Sequence, residues 1–178
     1  MYNRNFQQCI NCVMDTTDTA ISFDEKGVCD HCNTYYTKTL PSWDTGEKGL
    51  QDLQKVVNKI KDEGIGKDFD CIIGMSGGID SSYLVYVAKE KLGLRPLVFH
   101  VDAGWNSQIA VNNIERIVDN LGLDLYTEVI DWEEMKDLQV AFLKSGIPDQ
   151  DIPQDCAFFS ALYKFARKNK IKYVLTGG

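Results

Sequence analysis

The stretch Met75-Ser76-Gly77-Gly78-Ile79-Asp80-Ser81-Ser82 constrains this chain more than any other. Ahead of it runs Phe69-Asp70-Cys71-Ile72-Ile73-Gly74, a short apolar run bounded by charge and glycine. Behind it Tyr83 to Leu92 has the apolar spacing of an amphipathic helix. The pattern predicts strand, glycine turn, helix. Two adjacent glycines let the backbone turn where a Cβ would clash, and Ser76, Ser81 and Ser82 offer hydroxyls. The free N–H groups that open the helix point outward with the positive end of its dipole, worth ~0.3–1 kcal/mol for a nearby anion. Such a loop suits a phosphate group. The alternative is a ligand-free Gly-Ser turn, whose cost in stability nothing would offset.

From Phe69 onward apolar runs alternate with helical patterns. Pro96 to Asp102 reads as a buried strand, and about Asn106 to Leu121 as a helix with Ile109, Ile114, Ile117, Val118 and Leu121 in one stripe. Leu123 to Ile130 reads as a third strand with Leu123, Leu125 and Val129 facing inward, and Trp132 to Lys144 as a helix. Gly146 to Asp155, with Pro148 and Pro153, breaks every period and reads as a loop. A helix through Phe158, Leu162 and Ala166 follows, ending in Arg167, Lys168 and Lys170, and Lys172 to Thr176 is the last strand. This alternation predicts an α/β fold: a parallel sheet with helices on both faces, joined by right-handed crossovers.

Ligands of such sheets bind beyond the carboxyl ends of the strands, where strand order reverses. Three chain segments should therefore converge: the Ser76 loop, His100 through Ser107, and Thr176-Gly177-Gly178. Asp102 is placed there to touch a metal, a ribose or the substrate, or else to cap the next helix, a task that suits Asn106 or Ser107 better. His100 either joins the site or is a satisfied core histidine. Asp149, Asp151 and Asp155 hold a metal or a hydroxylated substrate, or are simply solvated. Cys156 sits where a thiolate is favoured, with a small buried thiol under Phe159 as the alternative; Cys71, inside the first strand, belongs to the core.

Four of the six cysteines fall as Cys9-x-x-Cys12 and Cys29-x-x-Cys32, with sixteen residues between the pairs. Two such knuckles complete a closed tetrahedral zinc site, which is structural. Asp15 to Thr19 and Phe23 to Val28 read as two short strands with too little apolar matter for a core, so metal or disulfides must supply the stability. A reducing compartment favours metal, with a redox pair as a further option. His31 lies between two ligands and either replaces one or points away. Beyond this ribbon, Leu50, Leu53, Val56, Val57 and Ile60 mark a packing helix that Gly64 and Gly66 end. The expected division is 1–40 zinc ribbon, 41–66 linker and helix, and 67–178 nucleotide domain.

Composition narrows the function. A formal net charge of −7 argues against a broad nucleic-acid footprint. No run approaches the ~20 apolar residues of a membrane span, and the first residues lack a secretory core, so a cytoplasmic location is expected. The last residues follow an apolar run with no closing helix, which reads as a fragment of a longer chain.

The S-G-G-I-D-S loop lacks the lysine and spacing of a Walker A motif; it resembles the signature of the ATP pyrophosphatase, or PP-loop, superfamily, whose fold is adenine nucleotide alpha-hydrolase-like. Together with the four-cysteine ribbon, Val101-Asp102-Ala103-Gly104-Trp105-Asn106-Ser107, the Gln154-Asp155 helix and Tyr173-Val174-Leu175-Thr176-Gly177, the whole chain resembles the N-acetyl sugar amidotransferases of surface-polysaccharide (LPS, O-antigen) biosynthesis. Those enzymes are about twice as long. The resemblance implies that an acetamido oxygen of a free or nucleotide-linked sugar is adenylated by ATP, releasing pyrophosphate, and that ammonia then displaces AMP to leave an acetamidino group. Ammonia would come from partner glutaminase and cyclase-like subunits. It implies ATP contacts from Met75, Ser76, Gly77, Gly78, Ile79 and Ser81 at the phosphates, and from His100, Thr176 and Gly177 toward the adenine. Asp80, Ser81 and Asp102 would be catalytic, with Asp80 positioning Mg²⁺ or the loop and Asp102 a second carboxylate near the metal, while Cys9, Cys12, Cys29 and Cys32 hold Zn²⁺. A tRNA-thiolating enzyme of the same fold is the alternative, and it requires a working Cys156 and a basic surface.

Overall fold

A computed structural model describes residues 4–177, so Gly178, expected at the crevice, lies outside the described residues. The chain forms two compact units, Met1–Gln54 and Lys55–Gly178.

In the first unit Ile21 packs with Cys9, Cys29 and Cys32. The two expected strands shrink to single antiparallel bridges, Gln8 with Asp15 and Phe23 with Cys29. The reason is local. Asp15 accepts from the Thr17 N–H, Asp18 from that of Ala20, and Asp24 from those of Lys26 and Val28, so Asx turns take the amides a ladder would use. Helix follows within the last part of the expected ribbon and at the edge of the expected linker: α1 (Asp30–Thr34), a π turn (Tyr35–Thr39) and α2 (Leu40–Ser42). Pro41 fits in the opening turn of α2, where its missing N–H costs nothing.

Helix α3 (Glu47–Glu63) packs Val57 and Ile60 into the core of the second unit, while Leu50, Leu53 and Val56, expected to share that task, stay exposed. In that unit β1 (Cys71–Gly74), α4 (Ile79–Tyr86, continued by a π turn to Lys91), β2 (Pro96–Asp102), α5 (Gln108–Leu121), β3 (Leu125–Val129), α6 (Trp132–Ser145), α7 (Ile152–Lys168) and β4 (Val174–Leu175) follow in order. The strands form one sheet in the order β3-β2-β1-β4, every pair parallel.

Alternation along β1 assigns the two faces. Cys71 and Ile73 meet Val57, Ile60, Val85 and Ile114 of α3, α4 and α5. Ile72, with Leu97, Phe99 and Val101 of β2, meets Leu162 and Ala166 of α7. Helices thus cover both faces, as expected. β3 departs from expectation: Leu125 and Val129 are exposed, and Leu123 and Ile130 just outside the strand do the packing. Among the described residues it is an edge strand that pairs with β2 alone, so its sides are thinly covered. The loop after α6 is also shorter than its prolines imply, because Pro153 fits in the opening turn of α7 and is buried there.

At the amino end of the sheet Asp70 is buried and receives the Arg95 Nη2 at 2.6 Å and backbone N at 2.8 Å. Arg95 also donates to the carbonyls of Gly64 (2.8 Å) and Lys67 (2.6 Å), tying the end of α3 to β1 and β2. A Cβ on Gly64 would overlap the Asp70 carboxylate, so the close approach requires glycine.

Candidate functional site

Strand order fixes where a ligand binds. The chain runs β1 to β2 to β3 outward on one side of β1, then returns to lay β4 on the other, so the order reverses between β1 and β4. The glycine loop leaves the sheet at that point. Its Met75 is buried and donates its N–H to the Phe99 carbonyl (2.9 Å). Gly77 has a φ of +79° and is packed so closely that a Cβ would overlap the Ala110 backbone, while Asn113 Nδ2 donates to its carbonyl at 3.1 Å. At Gly74 a Cβ would run into the Phe158 ring, a side-chain contact with no left-handed backbone involved.

Hydroxyls hold the loop in shape. Ser76 N–H and Gly78 N–H donate to the Oγ of Ser81 and Ser76, each at 3.3 Å, and Ser82 Oγ donates to the Gly78 carbonyl at 2.6 Å. Gly78 is the N-cap of α4 and supplies no side-chain cap. The opening N–H groups of α4, from Ile79, Asp80 and Ser81, have no intrahelical acceptor. They form a nest of donors suited to an anion.

His100 sets this loop from below. It is 7% exposed, its Nδ1 donates to the Met75 carbonyl at 2.8 Å, and Asn106 Nδ2 donates to its Nε2 at 3.0 Å. The carbonyl partner places a proton on Nδ1. His100 is therefore both a satisfied histidine and part of the cavity wall.

Two adjoining hollows flank the loop. One, of about 460 Å³, is bounded by Met75, Ser76, Ser81, His100 and Trp105. The other, of about 590 Å³, is bounded by Ser76, Asp80, Ser81, Thr176 and Gly177. The three strand ends thus meet as expected. Gly77 and Gly78 shape the turn without lining either hollow, and Ile79 is 83% exposed, so its backbone alone faces the nest. Asp102 lines neither: its Oδ1 accepts from the Gly104 N–H at 2.9 Å, and Ser107 caps α5. This Asx turn uses one carboxylate oxygen and holds Asp102 at the carboxyl end of β2, beside but not in the walls of the two hollows.

Asp155 was among the acidic candidates in the sequence, whereas Phe158 and Phe159 were not singled out for the site. Of the three loop aspartates Asp155 alone reaches the crevice, bordering both hollows from the first turn of α7, with Phe158 and Phe159 one turn on. The i, i+4 spacing of Asp155 and Phe159 was the available signal, masked by reading 146–155 as loop. Cys156 is exposed, contrary to a buried thiol under Phe159, and lines neither hollow. A hollow of about 330 Å³ at the amino end of the sheet, near Lys67 and Lys170, has no such nest.

The first unit holds a different kind of centre. The Sγ atoms of Cys9, Cys12, Cys29 and Cys32 all lie within 4.8 Å of one another, with 4.0 Å between Cys9 and Cys32 and 3.6 Å between Cys12 and Cys29. A tetrahedron of thiolates at Zn–S distances of ~2.3 Å needs sulfurs about 3.8 Å apart, so the four fit zinc. N–H groups of Cys29 (3.2 Å) and Asn11 (3.4 Å) donate to Cys9 Sγ. Burial raises the Cys9 thiol, but these N–H bonds outweigh it and bring it to about 6. His31 points away, its Nε2 2.9 Å from Asp18 Oδ2.

No protein-family model matches the chain. It is similar to an uncharacterized protein of Methanocaldococcus jannaschii, 27% identical over 171 residues that make up 96% of this chain and 58% of that one. The chain thus spans less than two thirds of that relative's length. Among solved structures it is similar to the glutamine-dependent NAD+ synthetase of Acinetobacter baumannii in complex with adenosine diphosphate, with a TM-score of 0.52 and 22% identity over 68% of this chain and 24% of that one. Two others are more distant in shape: NMN synthetase of Francisella tularensis (TM-score 0.45, 25% identity, 65% of this chain and 49% of that one) and NH3-dependent NAD synthetase of Campylobacter jejuni (TM-score 0.48, 18% identity, 72% and 56%). The Acinetobacter comparison carries the fold alone: a parallel sheet with helices on both faces, shared with part of that synthetase.

Proposed function

We propose that this chain carries the ATP site of an amidotransferase of the ATP pyrophosphatase type, acting on the acetamido group of an N-acetyl sugar. The observation that carries the reading is the uncapped start of α4 behind Gly77 and Gly78, opening on a crevice at the reversal of strand order. The occurrence of this sheet in a glutamine-dependent synthetase bound to ADP supports it.

ATP is the substrate that fits the nest. Its phosphates lie against the N–H groups of α4 and the hydroxyls of Ser76 and Ser81, which exchange their mutual bonds for bonds to oxygen anions. The adenosine lies toward His100 and Thr176. Asp80 and Asp155 share the second hollow and are the carboxylates that would hold Mg²⁺ beside the phosphates.

The chemistry asks for alignment more than for a base. The amide oxygen attacks the α-phosphorus, the bond to the β-phosphate oxygen breaks, and pyrophosphate leaves with that electron pair. Ammonia then adds to the activated carbon, and AMP leaves with the oxygen while the nitrogen loses a proton, giving an acetamidine. In such a sequence the protein holds nucleophile and phosphorus in line and spreads charge off the departing oxygens. Partner glutaminase and cyclase-like subunits would deliver the ammonia.

The test is to supply the intact protein with Mg·ATP, an N-acetyl sugar and an ammonium salt, and to identify the products. Pyrophosphate and AMP in step with loss of the acetamide support the reading. ADP and orthophosphate, or turnover that requires tRNA, contradict it.

A further inference from the structure

The second hollow does not end at the loop. Asp155, Phe159 and Tyr163 stand four residues apart on α7 and form one stripe along it. All three border the hollow beside Asp80 and Thr176. The Phe159 and Tyr163 rings are 43% and 55% exposed and lie nearly parallel, with centroids 6.4 Å apart and planes at 23°. The same two rings form one wall of a shallower hollow of about 360 Å³, whose other walls are Ser160, Lys164 and Arg167. The crevice therefore runs outward along α7 from carboxylates, over aromatic rings, to two cations.

Among the described residues no carboxylate pairs with Lys164 or Arg167. Arg167 lies in the last turn of α7, where a positive charge complements the helix dipole, but Lys164 lies before that turn, where the effect has faded. From Asp155 to Lys164 the helix rises about 13 Å, at ~1.5 Å per residue. A sugar phosphate spans part of that distance, and the long Lys164 and Arg167 side chains, which lean back toward the start of the helix, span the rest.

We infer that α7 carries the acceptor subsite and that it selects a phosphorylated sugar: the ring lies on Phe159 and Tyr163, the amide to be modified points toward Asp155 and the loop, and the phosphate is held by Lys164 and Arg167. This rests on the proposed reading of the loop as an ATP site and of the acceptor as an N-acetyl sugar. The charges decide between a free sugar and a phosphate-linked one. A free sugar offers the two cations only neutral hydroxyls, whereas a glycosyl phosphate meets an arginine fork and an ammonium beside the rings, a setting in which charge-assisted bonds are stronger. The arrangement also sets direction. With the ATP phosphates at the loop end and the two cations at the other, the anionic end of the acceptor lies outward.

The test is calorimetric binding to the intact protein of N-acetylglucosamine 1-phosphate, N-acetylglucosamine and inorganic phosphate, with Mg·ATP affinity measured separately. The phosphorylated sugar is expected to bind at least about tenfold more tightly than the neutral one at low salt, with the advantage shrinking as salt rises. Lys164→Gln with Arg167→Gln should erase that advantage and leave Mg·ATP affinity unchanged, while Tyr163→Ala should weaken both sugars alike. Equal affinity for the two sugars, binding of neither, tight binding of inorganic phosphate alone, or an advantage that survives the double variant overturns the inference. Failure of Mg·ATP itself to bind would instead strike the ATP reading.

Discussion

The two ends of β1 are made from similar parts and left in opposite states. At the amino end a glycine, a buried carboxylate and an arginine close on one another, and each guanidinium nitrogen of Arg95 donates to a protein oxygen. At the carboxyl end Gly77 and Gly78 open the chain, His100 and Asn106 brace it from beneath, and the donors that begin α4 face a hollow. Polar groups are satisfied where the fold needs fastening and left unmet where a ligand is to supply the partner. The sheet's stability and its chemistry are thus held apart along a four-residue strand.

If that separation is real, changes at the two ends must have different signatures. Asp70→Asn has the largest effect on folding: it removes a buried charge from Arg95, and chemical denaturation should show a loss of about 2–3 kcal/mol with Mg·ATP affinity of the folded protein unchanged. Equal loss of affinity would break the contrast. Gly77→Ala comes next, costing roughly 1–2 kcal/mol for a left-handed backbone. Because it also displaces the loop from Ala110, it should weaken Mg·ATP binding more than tenfold by calorimetry. Ser81→Ala should weaken binding about tenfold (~1.4 kcal/mol) while moving stability by less than about 0.5 kcal/mol.

The smallest effect belongs to an exposed ion pair, Lys172 with Glu63 at 2.6 Å. The Lys172 ammonium holds the Glu63 carboxyl below its ordinary value, and Glu63 in turn raises Lys172. The contribution is therefore whole above the ordinary glutamate value of about 4.3 and is lost as pH falls through the depressed one. At the alkaline limit it persists past about 10.4 and is lost as Lys172 deprotonates. Thermal melts of Glu63→Gln against the parent should differ slightly near neutrality and converge in acid.

Much of this was legible in sequence where local chemistry decides. Pro96–Asp102 was readable as a strand to the residue, because a run buried on both sides needs no tertiary knowledge. The loop was readable because adjacent glycines and serines between an apolar run and a helix have few other uses. Reading failed where the answer depends on neighbours distant in sequence. Leu125 and Val129 have strand character, but their exposure follows from β3 lying at the sheet's edge. Pro153 looked like loop because its place in a first turn depends on where α7 begins. The brace from His100 to Met75 spans 25 residues, and nothing local announces it. The ribbon's cysteine spacing did imply a tetrahedral cluster, since there the metal's geometry, rather than a core, sets the positions.

The most direct measurement is a backbone amide NMR titration of the intact protein with Mg·ATP. The account predicts that the amide signals of Gly77, Gly78 and Ser81 move together in a saturable way, while those of Asp70 and Arg95 stay in place. Saturating nucleotide that leaves the three loop amides unmoved, or that shifts the amino end of the sheet instead, would contradict it.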